Sequence, residues 1–234
     1  MKTIVNLSLI CLLSNFLNAQ LDQSRSSIVS TGTNIHLPSD YLRNNLLGNN
    51  NLPKNTKGSP YLYETFLPSK VIINDSTTYN AMLRYNAYND EIEMKKDEKV
   101  TALFKRPYIE AIINNSHYKI LEYKSEADKN KTGYFVALTP LGKHQFYRKD
   151  IKVFKEGKKA ASTYSKDVPP SFENMVNYYV VLENSTQTRL LKLKKKNLLS
   201  LLGDEELPSF MKKEKIDLKN EKDLIKLFQY YNTL

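Results

Sequence analysis

The chain of 234 residues holds one cysteine, no tryptophan and only seven glycines. A single thiol excludes an internal disulfide and any zinc site built on cysteine pairs. Cys11 is also badly placed for lipid attachment: Ile10 precedes it and apolar residues continue after it, where a lipoprotein site needs a small residue before the cysteine and a finished apolar run. The seven glycines are scattered, so no glycine-rich phosphate loop is present. Beyond the first twenty residues no apolar run approaches the length of a membrane-spanning helix.

Those first twenty, MKTIVNLSLICLLSNFLNAQ, read as a secretory signal peptide over residues 1–20. Lys2 gives the positive start, Ile4 to Leu17 the apolar stretch, and Ala19-Gln20 the cleavage point. As a membrane anchor the stretch is too short, and Asn6, Ser8, Ser14 and Asn15 interrupt it. Removing it takes Cys11 away, which also excludes thiolate catalysis.

The 35 Lys+Arg against 25 Asp+Glu give a formal charge of +10. The lysines are spread and interleaved with acids, so a solvated basic surface accounts for them better than a nucleic-acid interface. The steepest run is Lys192-Leu193-Lys194-Lys195-Lys196. No nucleic-acid partner, cofactor or metal is expected.

Residues 21–57 lack a sustained apolar period and carry Asn44, Asn45, Asn49, Asn50 and Asn51. They are expected to be mobile and outside the folded domain, with one short helix capped by Ser39. From Gly58 the chain reads as strand after strand, separated by turn formers such as Asn74-Asp75, Asn114-Asn115 and Asn184-Ser185. The expected fold is mainly β, a β-rich α+β class. An antiparallel meander over residues 58–193 forms a curled sheet or small barrel. A C-terminal pair of short helices in residues 194–234 packs on it. One ends at Gly203; the other is capped by Asn220 and carries the stripe Leu224, Ile225, Leu227, Phe228 and Tyr231.

The stretch LRYNAYNDEIEMKK (Leu83–Lys96) sets a puzzle of phase. Leu83, Tyr85 and Ala87 alternate in one parity, Ile92 and Met94 in the other. A strand has a side-chain period of 2, so the flip predicts a tight turn or bulge near Asn89 that returns all of them to one apolar layer. The same reading puts Glu91 and Glu93 in solvent and turns Arg84 away from Leu83, towards an acid or a partner.

Sixteen tyrosines and nine phenylalanines are the strongest compositional feature. Tyrosine and arginine together make contact surfaces, because each joins a large apolar area to a polar tip. Tyr61, Arg84, Tyr85 and Tyr88 are therefore the candidate binding residues, weighed against the ordinary role of tyrosine as a strand former. The acids Asp90, Glu91, Glu93, Asp97 and Glu98 form the densest carboxylate group, but they carry no calcium-loop pattern. His36, His117 and His144 lack metal-ligand spacing. No nucleophile motif is present, so no catalytic residue is named.

GSPYLYETF (Gly58–Phe66), LRYNAYNDEIE (Leu83–Glu93) and LIKLFQYYNTL (Leu224–Leu234) together resemble a group of exported proteins of Bacteroidetes-type bacteria with no known activity. The resemblance runs from about Gly58 to the end. It implies a Gram-negative envelope location, periplasmic or at the cell surface, and carries over no site residue. The expected function is that of an exported, non-catalytic envelope protein that binds or helps assemble another envelope component, protein or glycan. The alternative is a secreted hydrolase using carboxylate or histidine groups. A deep pocket lined by two acids or a His–acid pair would favour the hydrolase.

Overall fold

The computed structural model describes residues 37–44, 52–124, 129–160, 164 and 166–234, all within the unit Ile35–Leu234. The predicted signal peptide, His36 and most of the Asn-rich segment lie outside the described residues. The strands are β1 (Leu42–Asn44), β2 (Leu67–Ile73), β3 (Thr77–Asn86), β4 (Glu91–Lys96), β5 (Lys99–Leu103), β6 (Ile109–Ile113), β7 (Ser116–Lys124), β8 (Asn130–Ala137), β9 (Gln145–Lys155), β10 (Ser171–Val181) and β11 (Arg189–Leu190). They form one open, curled sheet in the order β1-β5-β4-β3-β2-β6-β7-β8-β9-β10-β11, antiparallel throughout its ladders. The β-rich meander expected from the sequence is the fold.

Turn chemistry explains the tight hairpins. Asn74, Asp75, Asp90, Asp97, Asn114 and Asn115 all have positive φ, between 46° and 63°. Asn and Asp tolerate that region, and paired positive φ values match the twist of the flanking strands. Asp90 closes the turn between β3 and β4, so the phase flip is a change of strand. Leu83 then lies opposite Met94, and Tyr85 opposite Ile92. All four sit in one apolar core with Val71, Ile109, Ile113, Tyr118 and Tyr134.

The sheet changes the face it buries partway along. Tyr118 and Ile120 of β7, and Tyr134 and Val136 of β8, face the first core. Leu121 and Tyr123, and Phe135, face a second core with Tyr147 of β9 and Tyr179 of β10. Alternation along a strand puts these two sets on opposite faces. The strands β7 to β11 thus curl around the second core. A meander of five strands runs its first and last strands parallel, and the bridge from Tyr123 to Thr188 across the seam is parallel.

On the far side of β9 and β10, Phe146 and Val180 meet the helices. Among the described residues there are three α-helices where the sequence predicts two: α1 (Lys195–Leu202), α2 (Leu207–Lys213) and α3 (Glu221–Tyr231). Pro208 sits in the first turn of α2, where its missing N–H costs nothing, and burial of Leu207 and Met211 on one face carries it to a full helix. Gly203 ends α1 in the left-handed region at φ 66°. Asn220 caps α3 as expected, its side chain accepting the Lys222 N–H. Among the described residues no helix is long and apolar enough to cross a membrane.

The start of the folded sheet also needs correction. Ser39–Tyr41 is a single 3-10 turn with Pro38 in the cap position, so Ser39 is its first residue and not its cap. Leu42–Asn44 then pairs with β5 from Leu42–Leu103 to Asn44–Thr101. Burial of Leu37 against the first core and the bond from Arg43 to Glu91 draw this piece into the sheet. A three-residue strand carries no readable period, which is why the sequence placed it outside.

Candidate functional site

The two acids expected in water are buried: Glu91 is 4 % exposed and Glu93 2 %. Each has an arginine. The Glu93 carboxylate accepts from Arg84 Nη2 at 2.6 Å and Nε at 3.2 Å, and from Asn86 Nδ2 at 3.2 Å. Glu91 accepts from Arg43. The period-2 argument placed these acids correctly on the face opposite Leu83. It could not show that this face is covered too.

The cover is the segment GSPYLYETF. Gly58 turns with φ 73°. The Pro60 carbonyl accepts the N–H groups of Ala87 (2.9 Å) and Tyr88 (3.2 Å), and Leu62 N–H donates to the Tyr85 carbonyl. The Tyr61 ring lies 3.4 Å from the Arg84 guanidinium carbon, and the Phe66 ring 4.2 Å from it. Arg84 also donates to the Glu64 carbonyl at 3.0 Å. Its charge, ring faces and N–H groups are engaged within the fold. The first two sequence stretches that carry the resemblance therefore dock on each other.

Tyr61 and Arg84 come together; the other two candidates do not join them. Tyr85 points into the first core, where its hydroxyl donates to Asp90 Oδ1 at 2.8 Å and burial pushes its pKa well up. Tyr88 lies half-exposed in the hairpin turn, edge-on to Phe172 at 5.3 Å.

Asp90 wedges into the place where β8 and β9 part. Their ladder stops at Val136–Arg148. Beyond it, Asp90 Oδ1 accepts the Tyr134 N–H at 3.2 Å and Lys149 Nζ donates to the Tyr134 carbonyl at 3.1 Å. The two charges meet at 2.9 Å, and Lys105 adds a contact at 3.3 Å. Lys149 is buried, and desolvation lowers its pKa against the pull of Asp90. A side chain at Gly133 would displace the pair: a Cβ there would come 2.6 Å from both Asp90 Oδ2 and Lys149 Nζ, so those side-chain ends would have to shift. This charge pair replaces the missing ladder bonds, a structural role that the sequence shows only as a turn aspartate.

His117 meets Glu110 at 2.5 Å, and Lys119 shares that carboxylate at 2.9 Å. His144 stacks on Tyr231 at 3.9 Å, and its Nδ1 accepts the Glu183 N–H. The two histidines belong to different places. Among the described residues no group of three His, Cys, Asp or Glu side chains is set to hold a metal ion.

A cleft of about 610 Å³ opens at the seam of the curl. Its walls are the end of β7 and the start of β8 (Glu122, Tyr123, Lys124, Asn130), β10 (Asn177, Tyr179), and the run Thr186–Leu190. Tyr123 and Tyr179 form the floor, edge to face at 5.8 Å, with Phe135 beneath both. Burial, and the nearby Asp90, push the Tyr123 pKa up to about 12, so its hydroxyl stays protonated at neutral pH. None of these residues is a binding candidate in the sequence. They come from four separate strands and a loop, and a run such as Thr186-Gln187-Thr188 looks like any polar connection.

Comparison with known proteins finds no matching family model, no matching curated protein and no matching solved structure.

Proposed function

We propose that the chain is an exported, non-catalytic protein of a Gram-negative bacterial envelope that binds another envelope component through the cleft at the seam. Of protein and glycan ligands, the cleft chemistry favours a glycan. The carrying observation is its lining. Tyrosine rings make the floor, while Asn177, Gln187 and Asn130 amides, Thr186 and Thr188 hydroxyls, and Glu122 and Arg189 stand around them. Sugars present apolar C–H faces bounded by hydroxyls. Rings suit the faces, and groups that both donate and accept suit the hydroxyls. Export rests on the positive, apolar and small-residue order of residues 1–20 and on the resemblance.

A hydrolase needs an acid and a base that reach one bond. Among the described residues Glu122 is the one acid in the cleft lining, and the His117–Glu110 pair belongs to the β6–β7 hairpin, apart from that lining. Binding is therefore the better reading.

Titration calorimetry of the purified chain with soluble peptidoglycan fragments and envelope polysaccharide oligosaccharides tests it. Replacing Gln187 and Arg189 together with Ala should weaken saccharide binding roughly tenfold or more, the loss expected from removing two polar anchors. Both residues are exposed, so thermal unfolding should not change. Absence of saccharide binding to the parent chain, or equal binding by the variant, rejects the glycan reading.

A further inference from the structure

Among the described residues, strand β10 carries an uncovered backbone window. Its one edge pairs with β9 along the whole of Ser171–Val181. On its other edge, two bonds mark which residues point outward. Phe172 N–H donates to the Lys57 carbonyl at 2.9 Å, and the Tyr178 carbonyl accepts the Leu191 N–H at 2.8 Å. Outward pointing alternates along a strand, so Asn174 and Val176 also turn their N–H and C=O groups away from β9. β11 pairs only with Tyr179 and Val180, and the Lys57 bridge reaches only Ser171. Glu173, Asn174, Met175 and Val176 between them are exposed, with Met175 and Val176 at 38 % and 44 %.

An open edge of this kind is normally blunted by lysine, proline or a bulge. Here the ladder with β9 is continuous, and the exposed residues are Glu, Asn, Met and Val. We propose that this window takes a short, extended, acidic peptide segment of a partner protein, added to β10 as a further strand.

Its frame selects the occupant. A second copy of β10 laid antiparallel over Met175 would place its own Tyr178 opposite Phe172, where Lys57 already bonds. At the other end its Phe172 would fall opposite Tyr178, which Leu191 holds. A long rigid edge strand is thus blocked at both ends, while a free chain segment can enter, pair over the window and leave. Charge gives the sign. Lys57 stands at one end and Arg189 at the other, Lys152 lies opposite Asn174, and the Glu173 carboxylate has Lys155 at 3.9 Å. Backbone bonds would give affinity, and Met175 and Val176, on opposite faces of the strand, would read alternate side chains of the guest. The window shares Arg189 with the cleft lining, but the peptide proposal rests on the backbone edge of β10 and does not depend on the saccharide reading.

The test uses the full chain and a displayed library of random twelve-residue peptides. Enriched peptides should be acidic with alternating apolar residues. One of them, made synthetically, should slow amide exchange at Asn174 and Val176, a readout that needs no variant. Val176→Pro removes an outward N–H and leaves the ladder with β9 intact, so it should weaken that peptide at least roughly tenfold without shifting the unfolding temperature. Asn174→Pro provides the same test should Val176→Pro fold poorly. The proposal is overturned if no peptide is enriched, if the selected peptide leaves both amides unprotected, or if both proline variants bind it as the parent does. It is also overturned if sedimentation shows a dimer that Val176→Pro dissolves, which would assign the window to a second copy.

Discussion

Arg84 and Glu93 face each other across the β3–β4 ladder and pair at 2.6 Å, on the face of the hairpin opposite Leu83 and Met94. The hairpin is thus buried on both faces, one apolar and one ionic. Removing one partner strands the other without compensation. Arg84→Met should cost about 3–5 kcal/mol in chemical denaturation, the range for breaking a buried pair. Arg84→Met combined with Glu93→Leu should recover most of that loss. Equal cost in the single and double variants would show that Arg84 acts through packing on Tyr61 and Phe66 instead.

This face also shows where reading the sequence stops. Leu83, Tyr85, Ile92 and Met94 announce one layer because a parity flip and a turn former are local signals. That Glu91 and Glu93 are covered depends on Tyr61 and Phe66, at least 25 residues earlier, and on Arg43, 48 residues from Glu91. The helix caps Asn220 and Gly203 were legible because capping is a nearest-neighbour matter. The cleft was not, because Tyr123, Tyr179 and Thr188 meet only after the sheet curls.

Three tyrosines in the first core differ in one respect. The Tyr85 hydroxyl donates to Asp90, while those of Tyr118 and Tyr134 are buried without a hydrogen-bond partner among the described residues. Tyr118→Phe and Tyr134→Phe should therefore be neutral or stabilising by up to about 1 kcal/mol. Tyr85→Phe should cost about 1–3 kcal/mol, because it leaves Asp90 short of a donor. Burial raises the pKa of all three above the ordinary tyrosine value. Their folded values exceed the unfolded value, so the folded state holds more protons as pH rises past about 10. Their contribution is complete below that pH and is lost above it. The tyrosinate absorbance of these groups should appear together with unfolding.

Gly133 leaves room for the Asp90–Lys149 pair. Gly133→Ala would push a methyl group to 2.6 Å from both charged atoms and should cost about 1–3 kcal/mol, the usual penalty for overpacking. Lys149→Met in the same background removes one of the two clashes, but it leaves Asp90 and the Tyr134 carbonyl without the lysine. Measured coupling between the two changes, taken through a double-mutant cycle, should be clearly non-zero.

The closing Tyr-Tyr-Asn of the chain acts as a clasp. Asn232 Oδ1 accepts the His144 N–H at 2.7 Å, and its Nδ2 donates to the His144 carbonyl at 2.8 Å. Both backbone groups of His144, just before β9, are satisfied by one side chain on the end of α3. Asn232→Ala should cost about 1–3 kcal/mol and speed amide exchange at His144. Unchanged exchange there would mean that stacking alone holds the helix end.

The His144 ring makes that clasp sensitive to pH. It lies flat on Tyr231 and takes the Glu183 N–H at Nδ1, a role open only to an imidazole unprotonated at that nitrogen. Burial lowers its pKa, with Lys143 adding to the effect and Glu183 opposing it. The folded pKa thus lies below the unfolded value of about 6.5, and between the two the unfolded chain binds more protons. The contribution of His144 is complete above about pH 6.5 and is lost as pH falls through the folded pKa. His144→Phe keeps the ring stack and removes the titration. Its unfolding temperature should therefore depend less on pH than the parent's between about pH 5 and 7, while lying lower at neutral pH through loss of the Glu183 bond. Parallel curves for the two proteins across that range would rule out this role for His144.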